Sequence, residues 1–234
     1  MTKKSDALAG FLAKVETKAV TTKKADAAAL LGTDEAARVL IAMDATASRS
    51  AAWATARRVM SAMFREVPEG LEAALAYFQG HDTFQVSRWV ADAEEFTKAV
   101  AGVGCVGGNT QILRVLDHAA TLAKASGLNA LVLVGDAFEE DPNVATVQAR
   151  ALRALNVPVF AFLEGDDPRT RRVFRTIANE SGGALLPFDT TAPDALRELL
   201  AGIACYAKGG MKALEAAQKR LPGARLLLTA MKGE

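Results

Sequence analysis

Short apolar runs that end beside an aspartate constrain the fold of this chain more than any other feature. Residues 38–44 read Arg-Val-Leu-Ile-Ala-Met-Asp, and residues 130–136 read Ala-Leu-Val-Leu-Val-Gly-Asp. Runs of this length, rich in branched aliphatic residues, are typical of strands buried on both faces, which occur mainly in parallel sheets. The two runs therefore predict strands of a parallel sheet, each followed at its carboxyl end by an acid.

Helical patterns of ten to fifteen residues separate the apolar runs along most of the chain. This alternation predicts an α/β fold with a doubly wound, mostly parallel sheet. The segment 84–89 alternates in polarity and predicts an edge strand. Strands are expected at 38–44, 73–78, 84–89, 130–134, 158–163 and 184–188, and helices at 50–66, 91–101, 112–125, 143–155, 169–180 and 192–207.

The two ends of the chain differ in charge from its middle, which predicts three parts. Residues 1–35 are expected to form a helical extension with a linker, residues 36–207 the α/β domain, and residues 208–234 a basic tail. The first 33 residues carry a net charge of +3 and residues 208–234 a net charge of +4, which leaves −6 for residues 34–207. We expect the charges of the tail to be solvated and its leucines to contact a partner or the chain itself.

Charge and apolar patterning exclude several classes of function. With 28 basic and 27 acidic residues, the chain lacks the long-range field that nucleic acid or an anionic membrane would require. It contains no uninterrupted apolar stretch of the roughly 18 residues needed for a membrane span, and its first residues lack the apolar core of a signal peptide. The two cysteines are predicted to be reduced thiols, as is usual in the cytosol. Together these features predict a soluble cytoplasmic protein.

Oxygen-bearing side chains gather at the predicted carboxyl ends of two strands. Asp44, Thr46 and Ser48 occupy alternate positions, so an extended loop would turn all three toward one point. Thr110 follows a glycine-rich loop, and Asp136 follows another strand. Carboxylate and hydroxyl oxygens are ligands of hard cations, so the residues predict a site for one Mg²⁺ or Mn²⁺ ion. The alternative for the first three residues is a capping cluster for the helix that follows.

The order Asp44-x-Thr46-x-Ser48, then Thr110, then Asp136 resembles the metal-ion-dependent adhesion site (MIDAS) of von Willebrand factor A-type (VWA) domains. The resemblance, to bacterial intracellular members in particular, implies six strands, one of them an antiparallel edge strand, with helices on both faces. It also implies that these five residues hold Mg²⁺ or Mn²⁺, and that an Asp or Glu of a partner protein completes the coordination.

The chain departs from the family pattern near this site. Thr46 stands where the family usually has serine, and Ala137 stands where many members have glycine. Three acids at 139–141 lie on the same rim, where they would repel an acidic partner or join the metal shell.

Signs of enzymatic chemistry are weak, so a non-enzymatic binding module is the first expectation. The segment 102–107 matches Gly-x-Gly-x-x-Gly but follows a predicted helix, which is the wrong context for a dinucleotide site. His81 and His118 are isolated, and no Gly-x-Ser-x-Gly nucleophile elbow exists. By resemblance, such a module would serve as an adaptor or scaffold beside MoxR-type AAA+ ATPases or in a stress or assembly system.

Two alternatives stay open at this stage. One is a metal-dependent phosphoester hydrolase, which would need a base such as Glu139 or Glu140 near the metal. The other is a metal-free scaffold with a vestigial site. The sequence does not indicate the oligomeric state.

Overall fold

The computed structural model describes residues 36–46, 70–188 and 192–233. Ser48, the helix predicted at 50–66 and the N-terminal extension lie outside these residues. The described strands are β1 (Ala37–Asp44), β2 (Leu71–Gln79), β3 (Thr83–Val86), β4 (Leu128–Gly135), β5 (Val159–Leu163) and β6 (Ala184–Pro187). The described helices are α1 (Ala93–Ala101), α2 (Ile112–Ser126), α3 (Pro142–Ala154), α4 (Pro168–Ser181), α5 (Pro193–Ala217) and α6 (Pro222–Lys232).

One six-stranded sheet organises the described residues, in the order β3-β2-β1-β4-β5-β6. Strands β2, β1, β4, β5 and β6 run parallel to one another, and β3 pairs antiparallel with β2 at one edge. The predicted fold class is therefore confirmed, including the antiparallel edge strand. Strand order reverses between β1 and β4, so these two central strands form the switch point at which ligands bind in sheets of this kind.

The central strands are apolar throughout because both faces of the sheet are covered. Along β1, Val39 and Ile41 point into one core, while Leu40 and Ala42 point into the other. Successive strand side chains point to opposite faces, which explains this division. Helices α2, α3 and α4 cover the face reached by Leu40, and α1, α5 and α6 cover the opposite face.

Local signals define several of the described helix ends. Asp92, Asp141 and Asp167 each accept backbone N–H groups at the start of a helix, as N-capping residues do. Gly127 and Gly182 end α2 and α4 in the left-handed conformation, which glycine adopts without the steric penalty of a Cβ atom.

The C-terminal segment is packed on the domain. Helix α5 continues past the predicted end at residue 207, with a break in helical geometry at Gly209 and Gly210. Leu214 and the run 226–228 are buried in the same core as the sheet. The leucines expected to contact a partner or the chain itself therefore contact their own domain, whereas the charged side chains at 212, 219, 220, 225 and 232 are exposed.

Candidate metal centre

Two of the predicted ligands leave the sheet at the switch point. Asp44 is the last residue of β1, and Asp136 directly follows β4. Met43 of β1 is paired in register with Val134 of β4. A Cβ atom built on Gly135 would lie only 3.8 Å from Cβ of Asp44. The strand ends that carry the two acids are therefore direct neighbours.

A tight turn fixes the side chain of Asp44 and the backbone of Thr46. Asp44 is fully buried, and its Oδ1 accepts the backbone N–H of Thr46 at 2.8 Å. This aspartate-centred turn replaces a backbone hydrogen bond with a side-chain one. The N–H of Ala45 donates to the carbonyl oxygen of Phe78 at 2.9 Å, so the turn stays attached to β2. Thr46 is only 6% exposed.

The loop that carries Thr110 is fastened to this turn and to the end of β2. Val106 donates its N–H to the carbonyl oxygen of Ala45 at 3.1 Å, and Asn109 donates to that of Gly80 at 3.2 Å. A Cβ atom on Gly108 would overlap the backbone of Gly80. Gly108 is therefore needed for contact between two loops.

Three hydrogen bonds hold Thr110, which is 6% exposed. Its backbone N–H donates to Glu139 Oε2 at 3.1 Å. Its hydroxyl donates to Glu140 Oε2 at 3.3 Å and accepts the backbone N–H of Glu139 at 3.0 Å. A threonine hydroxyl has one hydrogen and two lone pairs, so these bonds leave one lone pair of Oγ1 for another ligand.

Two of the three rim acids are engaged with helix ends. The carboxylate of Glu140 accepts the backbone N–H of Ile112 at 2.6 Å and that of Leu113 at 3.0 Å, in the first turn of α2. Asp141 caps α3, because its Oδ1 accepts the backbone N–H of Asn143 at 2.8 Å. Burial raises the pKa of Glu140, and its hydrogen bonds with Leu113, Ile112 and Thr110 act in the opposite direction.

Sequence reasoning missed the capping role of Glu140. The one available signal was local: Gln111, the residue before α2, is a poor N-cap type, and its side chain makes no capping bond. The first N–H groups of α2 therefore require an acceptor from elsewhere in the chain.

Asp136 presents the strongest sign of an electropositive partner at this site. Its Oδ1 is buried and accepts no hydrogen bond from any described residue. A buried carboxylate oxygen without a donor is costly unless a cation or another polar group lies against it. The described residues contain no cluster of three or more His, Cys, Asp or Glu side chains suited to a metal. A metal here would therefore need the hydroxyls as well as the acids, and such an oxygen set fits a hard cation.

The two histidines lie outside this cluster of residues. His81 is exposed in the turn between β2 and β3. His118 lies on α2, with its ring 5.5 Å from that of Phe84 in an edge-on arrangement. The glycine-rich segment 102–107 follows α1, as the helix predicted at 91–101 implied.

No described helix has the length and apolar character needed to cross a membrane. No protein-family model matches the chain, and no curated protein matches it either.

Solved structures of known proteins share this architecture. A von Willebrand factor type A protein from Catenulispora acidiphila is similar with a TM-score of 0.63 at 18% identity, over 74% of this chain and 44% of that one. Proximal thread matrix protein 1 from the mussel byssus, with a zinc-occupied MIDAS motif, gives a TM-score of 0.59 at 17% identity, over 73% of this chain and 46% of that one.

The SpRpn10 VWA domain is similar over nearly its whole length. Its TM-score is 0.57 at 14% identity, and the match covers 70% of this chain and 94% of that domain. In contrast, the match spans less than half of the Catenulispora and mussel chains. At these identities the likeness concerns the fold. Strand order, the antiparallel edge strand and these structural matches together show that the chain has the fold of a von Willebrand factor A-type domain.

Proposed function

We propose that this chain is a non-enzymatic protein-binding module that holds one divalent cation, Mg²⁺ or Mn²⁺, at the carboxyl ends of β1 and β4. The observation that carries the proposal is the buried Oδ1 of Asp136, which accepts no hydrogen bond from the described residues. A cation at this edge of the sheet would compensate for the cost of burying that oxygen.

Four described residues would supply oxygen ligands to the cation. They are Asp44, Thr46, Thr110 and Asp136, and Ser48 is proposed as the fifth from the sequence pattern alone. Two carboxylates would balance the charge of a divalent ion, and the hydroxyls would complete a hard-oxygen set. The mussel protein, whose MIDAS motif is occupied by zinc, supports divalent-cation binding on this fold.

The partner is proposed to be a protein that presents an Asp or Glu side chain to the metal. A carboxylate is a favourable ligand for a hard cation with an open coordination position. The proposed setting is the cytoplasm, as an adaptor or scaffold in a AAA+ ATPase, stress or assembly system, which follows from the family resemblance.

The hydrolase alternative has less support from the geometry. A general base needs a carboxylate that is open to a water molecule. Glu140 already accepts hydrogen bonds from Thr110, Ile112 and Leu113. Glu139 is exposed, and one of its two carboxylate oxygens accepts the backbone N–H of Thr110. Hydrolysis of p-nitrophenyl phosphate with Mn²⁺, abolished in Asp44→Ala, would favour the enzyme over the binding module.

Calorimetric titration of the full chain with Mn²⁺ and Mg²⁺ tests the metal site. We expect saturable binding by the wild-type chain and its loss in Asp136→Asn. Asp141→Asn is the matched control, because Asp141 caps α3 and lies outside the proposed ligand set. Absence of binding by the wild type at millimolar metal would contradict the proposal and favour the metal-free scaffold.

A second measurement tests recognition of a carboxylate. Bound Mn²⁺ with an open position relaxes the protons of exchanging water, and a carboxylate ligand displaces that water. We expect N-acetylaspartate amide to lower this relaxation enhancement more than N-acetylasparagine amide does. Equal effects of the two compounds would contradict carboxylate recognition while leaving the metal site intact.

A further inference from the structure

We propose that Glu140 is a positioning residue of the metal centre. Glu140 holds the Thr110 hydroxyl so that the remaining lone pair of Thr110 Oγ1 is directed at the cation. This inference rests on the proposed metal-binding function. It assigns a role to a residue that lies outside the five-residue pattern.

The first step of the argument is the state of the hydroxyl. Thr110 Oγ1 donates its hydrogen to Glu140 Oε2 and accepts the backbone N–H of Glu139. Once the hydrogen and one lone pair are committed, only the second lone pair is available to a metal. The two bonds thereby fix the rotation of the hydroxyl before a cation arrives.

The second step concerns the rigidity of Glu140 itself. Its two oxygens accept the backbone N–H groups of Ile112 and Leu113 in addition to the Thr110 hydroxyl. The carboxylate is half-buried and tied at both oxygens. It therefore holds the hydroxyl from a fixed position, because α2 itself holds the carboxylate.

The third step is the electronic effect of a charged acceptor. A hydroxyl that ligates a cation becomes a stronger hydrogen-bond donor, and hydrogen bonds to a carboxylate are stronger than those to neutral acceptors. Acceptors behind a metal ligand orient it and raise its basicity. Glu140 is placed to do both for Thr110.

Neighbouring residues provide a matched control for charge. Asp141 carries the same charge one position away. It also caps a helix, but that helix is α3, where its carboxylate accepts the backbone N–H of Asn143. If Glu140 acted only as a helix cap, the variants Glu140→Gln and Asp141→Asn would affect metal binding similarly. If it acted only as a nearby negative charge, Glu140→Asp, which keeps the charge, would bind the metal as the wild type does.

The experiment is Mn²⁺ titration of the full chain at a temperature well below the thermal midpoint of each variant. Under that condition nearly all molecules are folded, so lower stability alone does not change the measured affinity. We expect Glu140→Gln to weaken Mn²⁺ binding by roughly 10- to 100-fold, the range typical for acceptors behind metal ligands. We expect Asp141→Asn to change it by less than about twofold, as for an exposed, screened charge.

A second variant covers the case in which Glu140→Gln does not fold. Glu140→Asp keeps the charge but is one methylene shorter, so we expect it to lose its bond to Thr110 or its bonds to the first turn of α2. Weaker Mn²⁺ binding by the folded Glu140→Asp variant would support the positioning role, and wild-type affinity would contradict it.

The outcomes separate this inference from the proposed function. A wild-type chain that binds no Mn²⁺ would overturn both. The positioning role alone would be overturned if the wild type binds Mn²⁺ and a folded Glu140 variant binds it equally well. It would also be overturned if the loss of affinity in that variant only matches the loss in Asp141→Asn.

Discussion

Asn109 donates its backbone N–H to the carbonyl oxygen of Gly80 over 3.2 Å, which ties the loop carrying Thr110 to the end of β2. This bond requires the loop to lie so close to Gly80 that a Cβ atom on the neighbouring Gly108 would overlap the Gly80 backbone. The position of a predicted metal ligand thus depends on a contact between two glycines.

The first prediction concerns this contact. Gly108→Ala should lower the free energy of unfolding by about 1–3 kcal/mol, as overpacking of a close contact does, and should weaken Mn²⁺ binding because Thr110 is displaced. Denaturant unfolding and metal titration measure the two effects. The control is Gly104→Ala in the same loop, where an added Cβ would meet no atom within 4 Å. Equal stability of the two variants would contradict the packing argument.

The second prediction concerns Asp136 in metal-free protein. Because its buried Oδ1 accepts no hydrogen bond from the described residues, Asp136→Asn should not destabilise the metal-free chain and should stabilise it by up to about 1 kcal/mol. In saturating Mn²⁺ the order should reverse, since only the wild type gains binding energy. Thermal unfolding in chelator and in Mn²⁺ compares the two proteins. A variant less stable than wild type in chelator would show that the carboxylate has a protein partner.

The third prediction concerns pH. Burial lowers the pKa of His118, and the charge of Arg114 acts in the same direction while that of Asp117 opposes it. The unfolded chain therefore takes up a proton near the ordinary value of 6.5 while the folded chain stays neutral to lower pH. Stability should then fall as the pH drops from above 6.5 toward the lowered pKa.

Urea unfolding at pH 8 and pH 5 measures this effect. His118→Phe keeps an aromatic ring against Phe84 but cannot titrate, so its loss of stability at pH 5 should be smaller than that of the wild type. His81→Gln, at an exposed position, serves as the control and should behave as the wild type does. The same loss in His118→Phe as in the wild type would contradict the assignment.

The fourth prediction concerns the C-terminal segment. Leu227 of α6 is fully buried in the core under the sheet, so Leu227→Ala should lower the free energy of unfolding by about 2–5 kcal/mol. Val147→Ala on α3, where the valine is 65% exposed, should change it by less than about 0.5 kcal/mol. Thermal or urea unfolding of both variants makes the comparison. A small effect at Leu227 would support the expectation of a separate tail.

Local patterns in the sequence determined the architecture and the adjacency of the two strand ends that carry Asp44 and Asp136. The apolar runs before Asp44 and Asp136 predicted buried parallel strands, and the structure has them as β1 and β4, side by side at the switch point. These features were predictable because burial on both faces requires an uninterrupted apolar run, and because the carboxyl ends of parallel strands share one edge. The five-residue ligand set itself stays a prediction, with Ser48 outside the described residues.

Only the tertiary structure decided how the site is supported. Glu140 caps α2 from 27 and 28 residues away, Gly108 packs on Gly80, and the C-terminal leucines join the core of the sheet. In the sequence, Glu140 was one acid of a rim and the leucines belonged to a basic tail. Contacts between residues far apart in the chain leave no periodic signal in either partner. Periodicity reports which face of an element is buried, whereas the fold determines what that face meets.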